Sequence, residues 1–178
     1  MHTFSSWLAE MLGESRSDVE RILTSETATQ FLIAWSLFES KCFSGFLKAS
    51  AIESFGQRVV DESFSALEVG EQLDHFHKRY KNKKLLQNLL YTSKTADLVV
   101  SRFQRCLDTE LVSMSANDRV FFVVFVIYRF RNNVFHGNKG VQSWLAYDRQ
   151  IRLCTRAMQA LVSHAEKVRP TLQDRLAA

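Results

Sequence analysis

One proline and six glycines are all the backbone punctuation in a chain of 178 residues. A sandwich or barrel of short strands needs a turn every ~8–12 residues, and those turns draw on Gly and Pro. This chain cannot supply them, so long helices are what remains. The same scarcity excludes a Gly-rich phosphate loop or a dinucleotide fingerprint, both of which need clustered glycines. The length fits a single domain over residues 1–178, since domains usually run ~100–200 residues.

The longest apolar run is Val120 to Tyr128. Its Val, Phe and Ile content suits a strand. The pattern, however, continues at helical spacing into Phe130, Val134 and Phe135, with no turn residue before Gly137. It therefore reads as a helix buried on most sides, central in a bundle or at a subunit interface. At about nine residues it falls far short of the ~20 needed to span a bilayer. The opening Met-His-Thr-Phe-Ser-Ser-Trp-Leu lacks the basic and long apolar regions of a signal peptide. The expected location is cytoplasmic, without a membrane. Cys42, Cys106 and Cys154 are far apart, odd in number and set in apolar stretches. They read as buried free thiols, with no metal-ligand spacing. The net charge of +4 permits an acidic partner such as nucleic acid without demanding one.

Spacing predicts the other helices. Phe4, Trp7, Leu8, Met11 and Leu12 form one, stopped by Gly13. Ser17-Asp18-Val19-Glu20 reads as a capping box opening a long helix that ends after Gly45. Val59, Val60, Phe64 and Leu67 suggest a helix closed by Gly70. Helical signals resume over Leu73–Tyr80 and Leu85–Tyr91, then from Thr95 to Leu107. Asn117 or Asp118 can cap the apolar helix. A last helix runs from about Val141 to Val168, ended by Pro170.

Most polar residues lie on solvated helix faces. One segment does not: Tyr128-Arg129-Phe130-Arg131-Asn132-Asn133-Val134-Phe135-His136-Gly137-Asn138-Lys139. It sets Arg, Asn, His and Lys directly after the most apolar stretch, the expected setting of a site on a rigid scaffold. At ~100° per residue, Arg129, Asn132, Asn133 and His136 share one face. Arg131 and His136 are separated by ~140°. A site using both needs a distorted last turn or a second chain. Gly137 suits a helix stop. The partial negative charge of the helix C-terminus favours a protonated His136, a group suited to acid–base work near neutral pH. Phosphate at that end needs compensating cations, and Arg129, Arg131 and Lys139 supply them. The combination suits RNA cleavage without a metal or other cofactor. His136 can move the protons, an arginine can stabilise the phosphorane, and Asn132 can orient the phosphate or the His.

Arg131-Asn132-Asn133-Val134-Phe135-His136, followed by Gly137, resembles the Arg-x(4–6)-His signature of the HEPN superfamily, in which a polar residue often follows the Arg. Trp35-Ser36-Leu37-Phe38-Glu39 on the early helix is similar to HEPN proteins of bacterial defence and toxin–antitoxin type. The resemblance implies an up-and-down bundle of four to five core helices with extra short ones, and a homodimer whose motifs face each other in a cleft. It also implies metal-independent endoribonuclease activity with Arg131 and His136 catalytic and Asn132 supporting. Arg129 fits the looser spacing of the same signature. An antitoxin or defence-system protein is the implied partner besides RNA. Asn138 stands where toxins paired with a minimal nucleotidyltransferase carry a Tyr, so the resemblance does not extend to that mode of regulation. Catalytically silent HEPN modules that bind RNA, nucleotides or proteins are the alternative.

The basic run Lys78, Arg79, Tyr80, Lys81, Lys83 and Lys84 has two readings. One is an RNA-backbone contact with Tyr80 stacking on a base. The other is a solvated helix connection, paired with the acidic residues of 50–75. Glu39 reads as a stripe-edge residue or as an acid facing the Arg cluster. His75 and His77 point apart on a helix and make no metal pair.

Overall fold

The computed structural model describes residues 3–91, 97–135 and 146–176. Those residues form an all-α bundle, with no strand among them. The helices are α1 (Phe4–Leu12), α2 (Arg16–Leu23), α3 (Glu26–Cys42), α4 (Ala49–Asp61), α5 (Gly70–Tyr80), α6 (Lys83–Leu90), α7 (Asp97–Asp108), α8 (Ala116–Phe135) and α9 (Asp148–Leu176). Short 3-10 turns cover Ala66–Val69 and Leu111–Ser113. No helix among the described residues is long and apolar enough to cross a membrane.

Local chemistry sets the helix ends. Gly13 takes φ 65°, and its N–H and that of Glu14 close α1 onto Glu10 and Ala9 carbonyls, the usual glycine stop. The capping box lies two residues before the expected one. Ser15 accepts from the Asp18 N–H and bonds the Asp18 carboxylate. The expected long helix from Ser17 is also broken at Thr24–Ser25. Ser25 starts a new helix by accepting from the Ala28 N–H, while the Thr24 hydroxyl turns back to the Glu20 carbonyl. α3 then stops at Cys42, before Gly45, because Ser44 and Gly45 adopt positive φ. Glu39 secures that turn: its Oε1 accepts from the Leu47 N–H at 3.0 Å. Gly70 opens α5 with helical φ and ψ rather than closing a helix. Ser115, not Asn117 or Asp118, caps α8 through the Asp118 N–H. α9 passes through Pro170 to Leu176; a proline removes one backbone bond without preventing the turns on either side.

α8 is the axis of the bundle. Val120 through Ile127 are each at most 1% exposed within the single chain. α4 packs along α8, α3 along α9, and α5, α6 and α7 close the remaining sides. Aromatic side chains fill the contacts: Phe103 of α7 stacks on Phe122 and Phe125 of α8 at 4.7 and 4.4 Å. Phe38, Phe43 and Phe55 interlock α3 with α4. Cys42, Cys106 and Cys154 are buried and form no disulfide among the described residues. Burial pushes the Cys106 thiol up to about 11, so it stays protonated and inert. Arg102 ties three helices together. It grips Asp118 with two N–H groups at 2.8 and 3.1 Å, donates to the Glu53 carbonyl, and lies 4.1 Å over the Phe121 ring. Lys41 pairs with Glu166 at 3.3 Å between α3 and α9. α1 and α2 form a separate small cluster around Ala9 and Val19. Phe4, Trp7 and Met11 remain exposed on it.

The α4–α8 contact depends on a missing side chain. A Cβ on Gly56 would meet Asn117 Oδ1 at 2.5 Å and the Asn117 carbonyl at 3.0 Å. In an exposed helix, Gly→Ala gains roughly 0.5–1 kcal/mol. Here overpacking against backbone outweighs it. Gly56→Ala is expected to lose about 1–3 kcal/mol, read by urea denaturation; a stabilised variant would contradict the tight approach.

Candidate functional site

The last turns of α8 leave the core, and their side chains divide by face. Arg129 turns inward and is 4% exposed. Its Nε donates to the Leu89 carbonyl at 3.0 Å and its Nη2 to the Tyr91 carbonyl at 2.9 Å. Asn133, one turn on, donates to the Leu89 carbonyl at 3.2 Å and accepts from Arg129 at 3.4 Å. These carbonyls belong to the C-terminal end of α6, where backbone acceptors lack helical partners. α6 has no basic residue in its own last turn. A cation and an amide from α8 supply what it lacks. Burial pulls the Arg129 pKa below the ordinary arginine value, yet the group stays charged at any physiological pH.

Arg131 turns the other way. Its guanidinium carbon lies 5.4 Å from the centre of the Trp35 ring on α3, and Nη1 donates to Asn132 Oδ1 at 3.3 Å. Arg131, Asn132 and Asn133 are half-buried. Trp35 itself is 6% exposed. The fold thus joins the two segments that carry the HEPN resemblance, about a hundred residues apart in the chain. His136 and Lys139 lie outside the described residues.

The basic run divides too. Lys78 and Lys81 are exposed, and Arg79 is half-buried. Tyr80 is 3% exposed, with its ring stacked on Phe76 and edge-on to Phe103. Burial raises its hydroxyl pKa well above the ordinary tyrosine value. Both roles expected of these two side chains need correction. Tyr80 has no face to offer a base, because that face is in the core. Arg129 is turned away from a phosphate at the helix tip, because it is 4% exposed and its Nε and Nη2 donate to α6 carbonyls. Arg79, Asn88, Asn133 and Tyr147 line a cavity of about 30 Å³, room for roughly one water. The acidic segment does not neutralise the basic run: Glu71 pairs with Arg156 of α9 at 3.2 Å, and Glu62 with Arg58 at 3.7 Å. His77 is buried with Nε2 at 3.0 Å from the Thr109 carbonyl, facing away from His75.

Sequence reasoning missed Trp35 as the platform for Arg131, and Arg129 with Asn133 as the cap of α6. The i,i+4 spacing of Arg129 and Asn133 was a usable signal for a shared contact. Nothing local in the sequence pointed to α6 as its recipient. Comparison with protein-family models, with curated proteins and with solved structures finds no match to this chain.

The two arginines should respond differently to truncation. Arg129→Ala removes a buried charge and leaves α6 carbonyls unpaired. A hydrogen bond to a charged group is worth about 1.5–3 kcal/mol, so about 3 kcal/mol of stability should go, with partial recovery in Arg129→Lys. Arg131→Ala removes a ring interaction of about 0.5–1 kcal/mol. Chemical denaturation of the three variants separates these outcomes. Equal effects at both positions would contradict the division.

Proposed function

We propose that the chain is a metal-independent endoribonuclease of HEPN type, acting in the cytoplasm as a homodimer. Its catalytic groups are Arg131 and His136, with Asn132 in support. The observation that carries this reading is the separation of the two candidate arginines. Arg129 is committed to the α6 carbonyls. Arg131 is held by the Trp35 ring at the partly exposed end of a helix whose middle is wholly buried. A site on such an element is held in place by the core beneath it.

The chemistry needs no group beyond these and the RNA. One His136 imidazole takes the proton of a 2′-hydroxyl. The 2′-oxygen bonds to phosphorus, and the P–O5′ bond breaks. An imidazolium returns a proton to the leaving 5′-oxygen, giving a 2′,3′-cyclic phosphate and a 5′-hydroxyl. Arg131 stabilises the charge that develops on the phosphorane. The ~140° between positions 131 and 136 on an ideal helix is bridged by pairing Arg131 of one copy with His136 of the other. An antitoxin or defence-system protein is the fitting regulator of such an activity.

Incubation of the purified protein with RNA in excess chelator tests this. The wild type should give cyclic phosphate ends. Arg131→Ala and His136→Ala should each lose about 10²–10⁴ in rate with folding retained. RNA binding without cleavage would assign a silent binding module instead. Cleavage that survives both substitutions would remove these residues from the mechanism.

A further inference from the structure

We propose that the face formed by α5 and the start of α9 is a track for the phosphodiester backbone of single-stranded RNA, held by Lys78, Arg79 and Arg149 beside His75. The proposal rests on the ribonuclease reading for the identity of the strand, and extends it to residues outside the Arg131 segment.

The track begins with helical spacing. His75, Lys78 and Arg79 stand at i, i+3 and i+4, on one face of α5. Leu73, Phe76, His77 and Tyr80 occupy the buried side. The first turns of α9 carry three arginines, Arg149, Arg152 and Arg156. Two are neutralised: Arg152 by Asp148 at 2.8 Å and Arg156 by Glu71 at 3.2 Å. Among the described residues no carboxylate lies within 4 Å of Lys78, Arg79 or Arg149. Lys78 and Arg149 are at least partly open to solvent.

His75 lies among the charges of Arg79 and Arg149. Burial lowers its pKa, the charges of Arg149 and Arg79 lower it further, and only Glu71 opposes them. Glu71 is already bound to Arg156. Arg79 and Arg149 are thus gathered beside one histidine, with Asp74 the remaining acid one turn before Lys78, and a bound anion relieves the repulsion between the two arginines. His75 Nε2 and Arg79 Nε are also buried without a hydrogen-bond partner among the described residues. Such atoms call for an explanation in a native fold.

The composition of the face selects the ligand. No large apolar side chain is exposed on residues 71–84 or 147–156. Protein interfaces are centred on apolar and aromatic groups, whereas nucleic-acid surfaces are polar and cationic. Phosphate backbone therefore fits this face better than an acidic protein segment.

The test is binding of a labelled 2′-O-methyl oligouridylate, which cannot be cleaved, to the full chain across a salt series. Arg149→Glu and Lys78→Glu should each weaken binding at least about fivefold. Each should flatten log K against log salt by about 0.7 for every phosphate that is no longer neutralised. Lys48→Glu is the control. Lys48 follows α3, whose C-terminal end meets α9 near Glu166, far along that helix from Arg149. It should change affinity less than about twofold. Equal loss in all three variants, no loss in the first two, or no binding by the wild type overturns the proposal. Displacement of the RNA by polyglutamate of equal charge as readily as by unlabelled RNA would overturn it in favour of an acidic protein ligand. Because the probe is uncleavable, failure of the ribonuclease assay leaves this readout intact.

Discussion

A helix that is apolar on every side cannot face water anywhere, and the rest of this fold follows from that. α8 satisfies its own backbone, but Val120 through Ile127 leave no side of it fit for solvent. Each direction must be covered by another element: rings of α5 and α7 cover two sides, and α4 comes close at Gly56. The same burial confines polar chemistry to the ends of α8. At the N-terminal end Asp118 is engaged by Arg102 and Ser115. At the C-terminal end lie Arg129, Arg131, Asn132 and Asn133. A functional group anywhere between would stand desolvated in the core.

Helix ends create a second obligation. α6 is short and ends without a basic residue of its own, so its terminal carbonyls need donors from elsewhere. α8 provides them because its own last turns emerge beside α6. One guanidinium and one amide thereby stabilise α6 and fix where the end of α8 lies. Stability and positioning here come from the same contacts. A change at Arg129 is therefore expected to disturb function only through structure.

The helical architecture was legible because it depends on spacing, which is local. Gly13 as a stop, α8 as a helix rather than a strand, and the buried thiols all follow from residue type and period. Ends were less legible where several small polar residues compete. Ser15 and Ser17 both suit a cap, and only the geometry with Asp18 chooses Ser15. Thr24–Ser25 contains no Gly or Pro, so the break between α2 and α3 carried no strong punctuation. Gly70 shows the reverse, a glycine in ordinary helical conformation. Tyr80 and Arg129 were misread for a different reason. Tyr80 sits among cations and Arg129 at the end of the apolar run, and the burial of both is decided by neighbours distant in sequence, which no local pattern contains.

The candidate site illustrates how burial resolves a degenerate spacing. Two positions apart on a helix means about 200° of rotation, so Arg129 and Arg131 cannot face the same surroundings. One must approach α6 if the other approaches α3. The contacts differ in kind as well as direction. Carbonyl acceptors bind in-plane N–H groups of Arg129, at Nε and Nη2. An indole ring meets a guanidinium through its face, a contact made with the ring's π-electrons and not with a carbonyl acceptor. Trp35 gives Arg131 a contact of that second kind, beside the bond from its Nη1 to Asn132.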